Sequence, residues 1–221
     1  MPSPKYLDIY LLRHGHSTAN GKGILAGRDN SVTLSESGLT QAQDVARALA
    51  EIKFAALISS PITRCLQTVK PISQKITKDS RFQEMNYGDW SGKKLALLSK
   101  KALWRDIQNH PSTVRFPDGE SFLEMSARTT DAISTLAKAY SGKILVCSHG
   151  DVIKAIIAQA MGLHLDSFQK IIIDPASISV VRIHGSSMQL VKSNDTSHLS
   201  AAKGSTKSRG HLLGGGAGVR A

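Results

Sequence analysis

Apolar residues fall along this chain in two alternating rhythms. From Tyr6 to Leu12 the run Leu7, Ile9, Tyr10, Leu11, Leu12 is almost unbroken. A short run of that kind predicts a strand covered on both faces. It stops at Arg13-His14-Gly15-His16, and a polar loop follows with Gly21, Gly23, Gly27, Asp29 and Asn30. Leu39, Ala42, Val45, Ala46 and Leu49 then recur at helical spacing. Phe54 to Ile58 predicts a second strand, ending at Ser59-Ser60-Pro61. Pro61 suits the first turn of a helix that carries Arg64, Cys65 and Thr68 and stops at Pro71.

The second half repeats the alternation. Arg81 to Glu84 predicts a short extended piece before Met85-Asn86-Tyr87-Gly88-Asp89-Trp90, and Lys93 to Leu103 a small exposed helix. Phe116 to Glu120 reads as a turn. Phe122, Met125, Thr129, Ile133, Leu136 and Tyr140 form one helical stripe. Ile144 to Cys147 predicts a buried strand, closed by Ser148-His149-Gly150-Asp151 and followed at once by a helix over Val152 to Met161. Ser177 to Ile183 and Met188 to Val191 predict an edge hairpin around Gly185-Ser186. Strands alternating with helices imply an α/β fold with helices on both faces of a sheet. From Thr196 the periodicity is lost in favour of Ser, Gly, Ala and Lys. The expected organisation is one domain over residues 1–195 and a disordered basic tail over 196–221.

Composition narrows the function classes. The chain has 221 residues, 41% hydrophobic, enough for one sizeable core. No apolar run approaches the roughly 20 residues of a membrane helix. Met1 to Lys5 shows no basic, apolar and small-residue succession of a secretion signal, so the expected compartment is the cytoplasm. Cys65 and Cys147 lie inside apolar patterns, where reduced buried thiols are expected. The formal charge is +11, which favours an anionic partner. Part of that charge is Lys203, Lys207, Arg209 and Arg220 in the tail. Aromatics are only 5% and no basic stripe interleaves with them, which speaks against nucleic acid. There is no HExxH, no zinc spacing and no GxxxxGK[ST] loop. Gly214 to Gly218 has no strand before it.

Two histidines stand out by position. His14 follows the first strand and His149 the strand over Ile144 to Cys147, and ligands of open α/β sheets sit beyond the carboxyl ends of strands. Each precedes a glycine, Gly15 or Gly150, which would let backbone approach a ligand. Arg13 adjoins His14, Arg64 lies early in the helix after the second strand, and a helix opens after His149. Arginine forks and helix N-termini both suit phosphate.

These blocks resemble the histidine phosphatase superfamily, also called phosphoglycerate mutase-like. The likeness runs from the first strand to about residue 193. It includes Leu11-Leu12-Arg13-His14-Gly15 with Asn20, Leu34 to Gly38 with Gln41-Ala42, and Ser59-Ser60-Pro61 through Arg64 to Thr68. Glu84 with Tyr87 to Gly92, Pro117 to Ser121, and Ser148-His149-Gly150 complete it. The nearest likeness is to a bacterial branch described only generally as phosphomutases or phosphatases. The resemblance implies a three-layer α/β/α fold with a mostly parallel central sheet. It implies that His14 attacks phosphorus, that Arg13, Arg64 and His149 hold the phosphoryl oxygens, and that Glu84 donates and then recovers a proton. Asn20 and Ser17 would add neutral hydrogen bonds, with Gly150 and Tyr87 as further substrate contacts. The implied substrate is a small phosphorylated metabolite, with no cofactor and no metal required; a homo-oligomer stays open.

Rival readings accompany these roles. Glu84 could pair with Arg81 or Lys93 on the surface. Asp151 is a second candidate acid, but is better read as a helix cap. His16 is expected at the pocket edge, and Trp90 either lines the pocket or packs the loop. Hydrolysis is favoured over a phosphomutase of the cofactor-dependent phosphoglycerate mutase type. The stretch after Glu84 has Lys93, Lys94, Lys100, Lys101, Arg105 and Arg115 but no paired arginines. A non-catalytic phosphate-binding protein is the remaining alternative.

Overall fold

The unbroken apolar run at the start of the chain becomes β1 (Leu7–Arg13), whose residues are buried on both faces. The computed structural model describes residues 6–200. The chain continues through α1 (Thr18–Lys22), α2 (Glu36–Leu49), β2 (Ala56–Ser59), α3 (Thr63–Val69) and β3 (Thr77–Lys78). Then come α4 (Leu95–Leu98), α5 (Ala102–Asn109), α6 (Phe122–Ala139), β4 (Gly142–Ser148), α7 (Gly150–Ala160), β5 (Ile178–His184) and β6 (Ser187–Asp195). The strands form one sheet in the order β3-β2-β4-β1-β5-β6. Neighbours from β3 to β1 are parallel, and β5 and β6 run antiparallel to their predecessors in that order. The expected α/β fold with a mostly parallel sheet is what forms.

Alternation along each strand builds two apolar layers. Leu7, Ile9 and Leu11 of β1 join Ile144 and Val146 of β4 under α6 and α7. Leu12 joins Leu145 and Cys147 on the other face, with Val45 and Leu49 of α2 and Cys65 and Val69 of α3. The helices start where their sequences allow. Ser35 caps α2 by accepting from the Gly38 N–H. Ser121 and Glu124 form a reciprocal capping box at the head of α6.

Several local expectations change. Leu39 is 50% exposed, because the buried face of α2 turns through Gly38, Ala42, Val45 and Leu49 instead. Pro61 lies before the helix, which begins at Thr63 after Ile62 as N-cap. The piece at Arg81 to Glu84 starts as a 3-10 turn over Ser80–Phe82, and the strand on that edge is the two-residue β3. The helix expected over Lys93 to Leu103 is two, α4 and α5. They are not simply exposed: Leu95, Leu98 and Ile107 enter the core between lysines that stay outside. Tyr140 is the C-cap residue of α6, just past its stripe.

The packed body extends past the expected boundary at residue 195. His198 Nε2 lies 3.1 Å from the Ala176 carbonyl oxygen. Leu199 packs with Tyr10 and Ile72 against the layer under α2. The Ser200 N–H and hydroxyl both donate to Asp44 of α2. The rest of the expected tail, 201–221, lies outside the described residues. Ala176 in turn donates its N–H to the His14 carbonyl at 3.1 Å, so the chain end supports the turn after β1. A chain ending at Asp195 should be less stable than one ending at Ser200 by about 1–2 kcal/mol, measured by urea denaturation of the two truncations; equal midpoints would show that these contacts contribute nothing.

Candidate active site

Parallel pairing places Arg13 beside Ser148, so the next residues, His14 and His149, leave the sheet together. Their rings meet edge-on with centroids 5.2 Å apart. On the far side of β4, β2 pairs Ser59 with Cys147 and delivers Ser60 and then α3. Arg64, on the first turn of α3, lies between the two imidazoles. Its Nε donates to His14 Nε2 at 3.2 Å and its Nη2 to His149 Nδ1 at 3.2 Å.

Arginine can only donate, so these bonds choose the tautomers. His14 carries its proton on Nδ1, which donates to the Gly15 carbonyl at 2.8 Å. Its Nε2 presents a lone pair. His149 carries its proton on Nε2, 2.9 Å from Ser60 Oγ. Burial, then the charge of Arg64, pushes both imidazoles well below their ordinary range, with Arg13 adding to the effect. Both are therefore neutral at physiological pH.

Gly15 serves a different purpose from the one its sequence position suggests. A Cβ there would sit 2.8 Å from the Gly38 carbonyl oxygen, so this glycine admits the start of α2 rather than a ligand. Its N–H donates to Thr68 Oγ1 at 3.0 Å, which fixes the turn that aims His14. Arg13 is buried and its Nη1 donates to the Ile173 carbonyl at 2.6 Å.

The loop after β1 closes over this group. Ser17 caps α1, and Asn20 Oδ1 accepts from the Ser17 N–H and hydroxyl at 2.9 and 2.8 Å. The Asn20 amide nitrogen is then the group it has to offer a ligand. Arg64 Nη2 also donates to the Gly27 carbonyl at 2.7 Å, and Nη1 to that of Asp29 at 3.3 Å. Gly27 has φ +54°, and a Cβ on it would meet Ser91 Oγ at 2.8 Å. The wall therefore requires glycine there.

Glu84 completes the site from the loop after Ser80–Phe82. It is buried, not a surface partner of Arg81 or Lys93: Arg81 binds Asp79 and Asp131 instead. Its Oε1 accepts from the Met85 N–H at 2.9 Å, and its Oε2 lies 4.0 Å from His149 Nδ1. Burial, then the negative charge of Asp151, raises its pKa to about 7. Its backbone carbonyl accepts from Arg28 at 2.9 Å and from Arg128 at 3.3 Å. Both arginines are tied to Glu120. Glu120 lies in the Pro117 to Ser121 block, but its link to Arg28 and Arg128, which belong to no motif, has no signal in the sequence.

These elements border a small cleft. Arg13, His14, Ser17, Asn20, Arg64, Glu84 and Tyr87 line it, with Ile24, Leu25, Ala26, Gly27 and Leu95. His149 lies behind Arg64. Gly150 heads α7 and does not line the cleft.

The sequence pattern of the histidine phosphatase superfamily (branch 1) matches residues 9–196. The chain belongs to the histidine phosphatase superfamily. One relative, from Hydrogenobacter thermophilus, carries the name of a phosphoserine phosphatase and is 29% identical over 86% of this chain and 96% of its own. Another, from Escherichia fergusonii, carries the name of a phosphoglycerate mutase and is 29% identical over 88% of this chain and 96% of its own. Among solved structures, Bacillus stearothermophilus YhfR superposes with a TM-score of 0.82 at 23% identity, covering 88% of this chain and 100% of that one. A mycobacterial glucosyl-3-phosphoglycerate phosphatase superposes with a TM-score of 0.78 at 23% identity, covering 87% and 100%.

In this member of the superfamily, the remaining candidates fall into place around the cleft. His16 turns to Ser35, with Nδ1 2.9 Å from its Oγ, and is not part of the cleft lining. Trp90 packs: it stacks on Trp104 and meets Phe116 edge-on. Asp151 is not a cap, since His149 has the extended N-cap backbone and Asp151 is inside the first turn. Its buried carboxylate accepts from the Tyr87 hydroxyl at 2.6 Å. Substitution Gly38→Ala would put a Cβ 2.0 Å from the His16 carbonyl oxygen. It should cost about 1–3 kcal/mol, read as a lowered urea midpoint at unchanged slope; a wild-type midpoint would mean the α2 start has room to move.

Proposed function

We propose that this protein is a phosphatase of small phosphate monoesters and that His14 Nε2 is the atom that takes the phosphoryl group. The observation that carries this reading is the fixed tautomer of His14. Its Nδ1 proton is held by the Gly15 carbonyl, and its Nε2 lone pair faces a cleft containing two arginines. A neutral, pre-aimed imidazole is the competent nucleophile.

In the first step the Nε2–P bond forms and the ester P–O bond breaks. Arg64 Nε, now on Nε2, passes to a phosphoryl oxygen. Arg13, Arg64 and the Asn20 amide stabilise the charge there, and preorganised donors of this kind supply most of the barrier reduction in phosphoryl transfer. Glu84, protonated below about pH 7, gives its proton to the leaving oxygen. In the second step Glu84 takes a proton from water, the water oxygen bonds phosphorus, the P–N bond breaks and orthophosphate leaves. His149 orients Arg64 through Nδ1 and meets the His14 ring edge-on.

Hydrolysis is favoured over phosphomutase chemistry by the cleft lining. Among the described residues Arg13 and Arg64 are its only Lys or Arg side chains, and both serve the phosphoryl group. A mutase must also hold its phosphorylated product through a second transfer. None of the described helices is long and apolar enough to cross a membrane.

Three measurements test this function. The purified protein should hydrolyse 4-nitrophenyl phosphate, and His14→Ala should reduce the rate to background while circular dichroism stays native; a fully active variant would remove His14 from its role. Glu84→Gln should lower kcat/KM for an alkyl phosphate by about 10²- to 10⁴-fold and much less for the nitrophenyl ester, whose leaving group needs no proton. Because Glu84 must carry its proton to act, wild-type kcat/KM for the alkyl ester should fall as pH rises through about 7. A limb that persists in Glu84→Gln would assign the proton elsewhere.

A further inference from the structure

Behind Glu84 lies a buried polar chain that the phosphoryl chemistry does not touch. Tyr87, whose ring lines the cleft, donates its hydroxyl to Asp151 Oδ2 at 2.6 Å. Asp151 Oδ1 is 3.7 Å from Lys154 Nζ, one turn along α7. Lys154 Nζ donates to Gln169 Oε1 at 3.0 Å and lies over the Phe168 ring at 5.2 Å. Gln169 Nε2 donates to the Ile107 carbonyl. Tyr87 and Asp151 are wholly buried, and Lys154 is 2% exposed.

An enclosed ion pair is weak evidence for stability, since apolar side chains of the same volume are often as good or better. This one stands where a charge can act on the active site. Glu84 faces Arg13 from β1, Arg64 from α3, and His149 and Asp151 from the start of α7, with Lys154 behind. Arg28 and Arg128 reach only its backbone carbonyl. Three of these groups, Arg13, Arg64 and Lys154, are cations that would strip the proton from a nearby carboxyl. Asp151 is the negative charge opposing them.

We propose that Asp151, anchored between the Tyr87 hydroxyl and the Lys154 ammonium, is the positioning residue that keeps the proton on Glu84. This deepens the phosphatase reading and rests on Glu84 being the proton donor. The Asp151 charge acts on Glu84 through the buried interior, and the Lys154 ammonium 3.7 Å from Asp151 Oδ1 offsets part of it. Burial and the Asp151 charge, in that order, are what raise Glu84. Tyr87 orients Asp151 from the cleft side, so the ring that borders the leaving group also holds the group that tunes the acid.

The test is the alkaline limb of kcat/KM for an alkyl phosphate, glycerol 2-phosphate, in four proteins. Asp151→Asn keeps the shape and an acceptor for Tyr87 but removes the charge. Its limb should move down by about one pH unit, a loss of roughly tenfold above the limb that is recovered at about pH 6. Lys154→Met removes a cation from the pair, and its limb should move up. The two signs are opposite, so either variant carries the test if the other does not fold. A uniform loss of rate at every pH, with the limb in place, would show a merely structural role and overturn the proposal. A limb that is lost in Glu84→Gln but unmoved in both α7 variants would overturn it while leaving the Glu84 role intact. Wild-type rates and profile in Glu84→Gln would overturn the Glu84 role itself, and the proposal with it.

Discussion

The parallel pairing of β1 with β4 decides where every group in the cleft can lie. Opposite residues Arg13 and Ser148 are the last of their strands, so the chain releases His14 and His149 at one height on one rim. β2 adds Ser60 and α3 at the same level because Ser59 pairs with Cys147. A slip of one residue in any of these pairings would turn the apolar layers inside out. The burial of Leu11, Leu12, Val146 and Cys147 on opposite faces therefore enforces the register, and the register enforces the contact between the histidines and Arg64. Packing at the centre of the sheet and chemistry at its end are one constraint.

Enclosure then acts on the site in two directions. Removal from water disfavours whichever form is charged. It pushes His14 and His149 down and Glu84 up. Arg64 and Arg13 reinforce the first effect and oppose the second. Left to the arginines alone, the carboxyl would lose its proton. The Asp151 charge restores the balance, so a neutral base and a protonated acid coexist in one cleft near pH 7. Environments that separate titratable groups in this way mark acid and base assignments.

The core of this arrangement is legible in the chain because it depends on local signals. The runs at Leu7 to Leu12 and Ile144 to Cys147 announce buried strands, and the stripe from Phe122 to Leu136 announces α6. Strand ends then locate His14 and His149 without knowledge of the partner strand. What escapes depends on who packs against whom. Gly15 reads as a ligand-facing glycine until Gly38, from a different element, is found against it. Asp151 reads as a cap because its type suits one; the backbone gives that place to His149. β3 is too short for any alternation to register. Leu95 and Leu98 hide their burial among exposed lysines, and Ile107 among polar neighbours. Arg28, Glu120 and Arg128 meet across three separate segments, and nothing in any one of them signals the others.

That last network ties the acid to the cleft wall. Arg64 holds the carbonyls of Gly27 and Asp29, while Arg28, between them in sequence, holds the Glu84 carbonyl and Glu120. Glu120 also accepts from the Asn86 N–H and from Arg128, and Arg128 reaches the Arg81 carbonyl. Arg64, the loop from Ile24 to Asp29 and Glu84 thus share one hydrogen-bonded frame. Side chains on the wall, such as Ile24 and Ala26, stand outside that frame even though their loop belongs to it. Exchanging them changes the space for a leaving group without moving Arg64 or Glu84, whereas any change at Gly27 or Glu120 moves both. Leaving-group preference and phosphoryl chemistry are separable at the first positions and inseparable at the second.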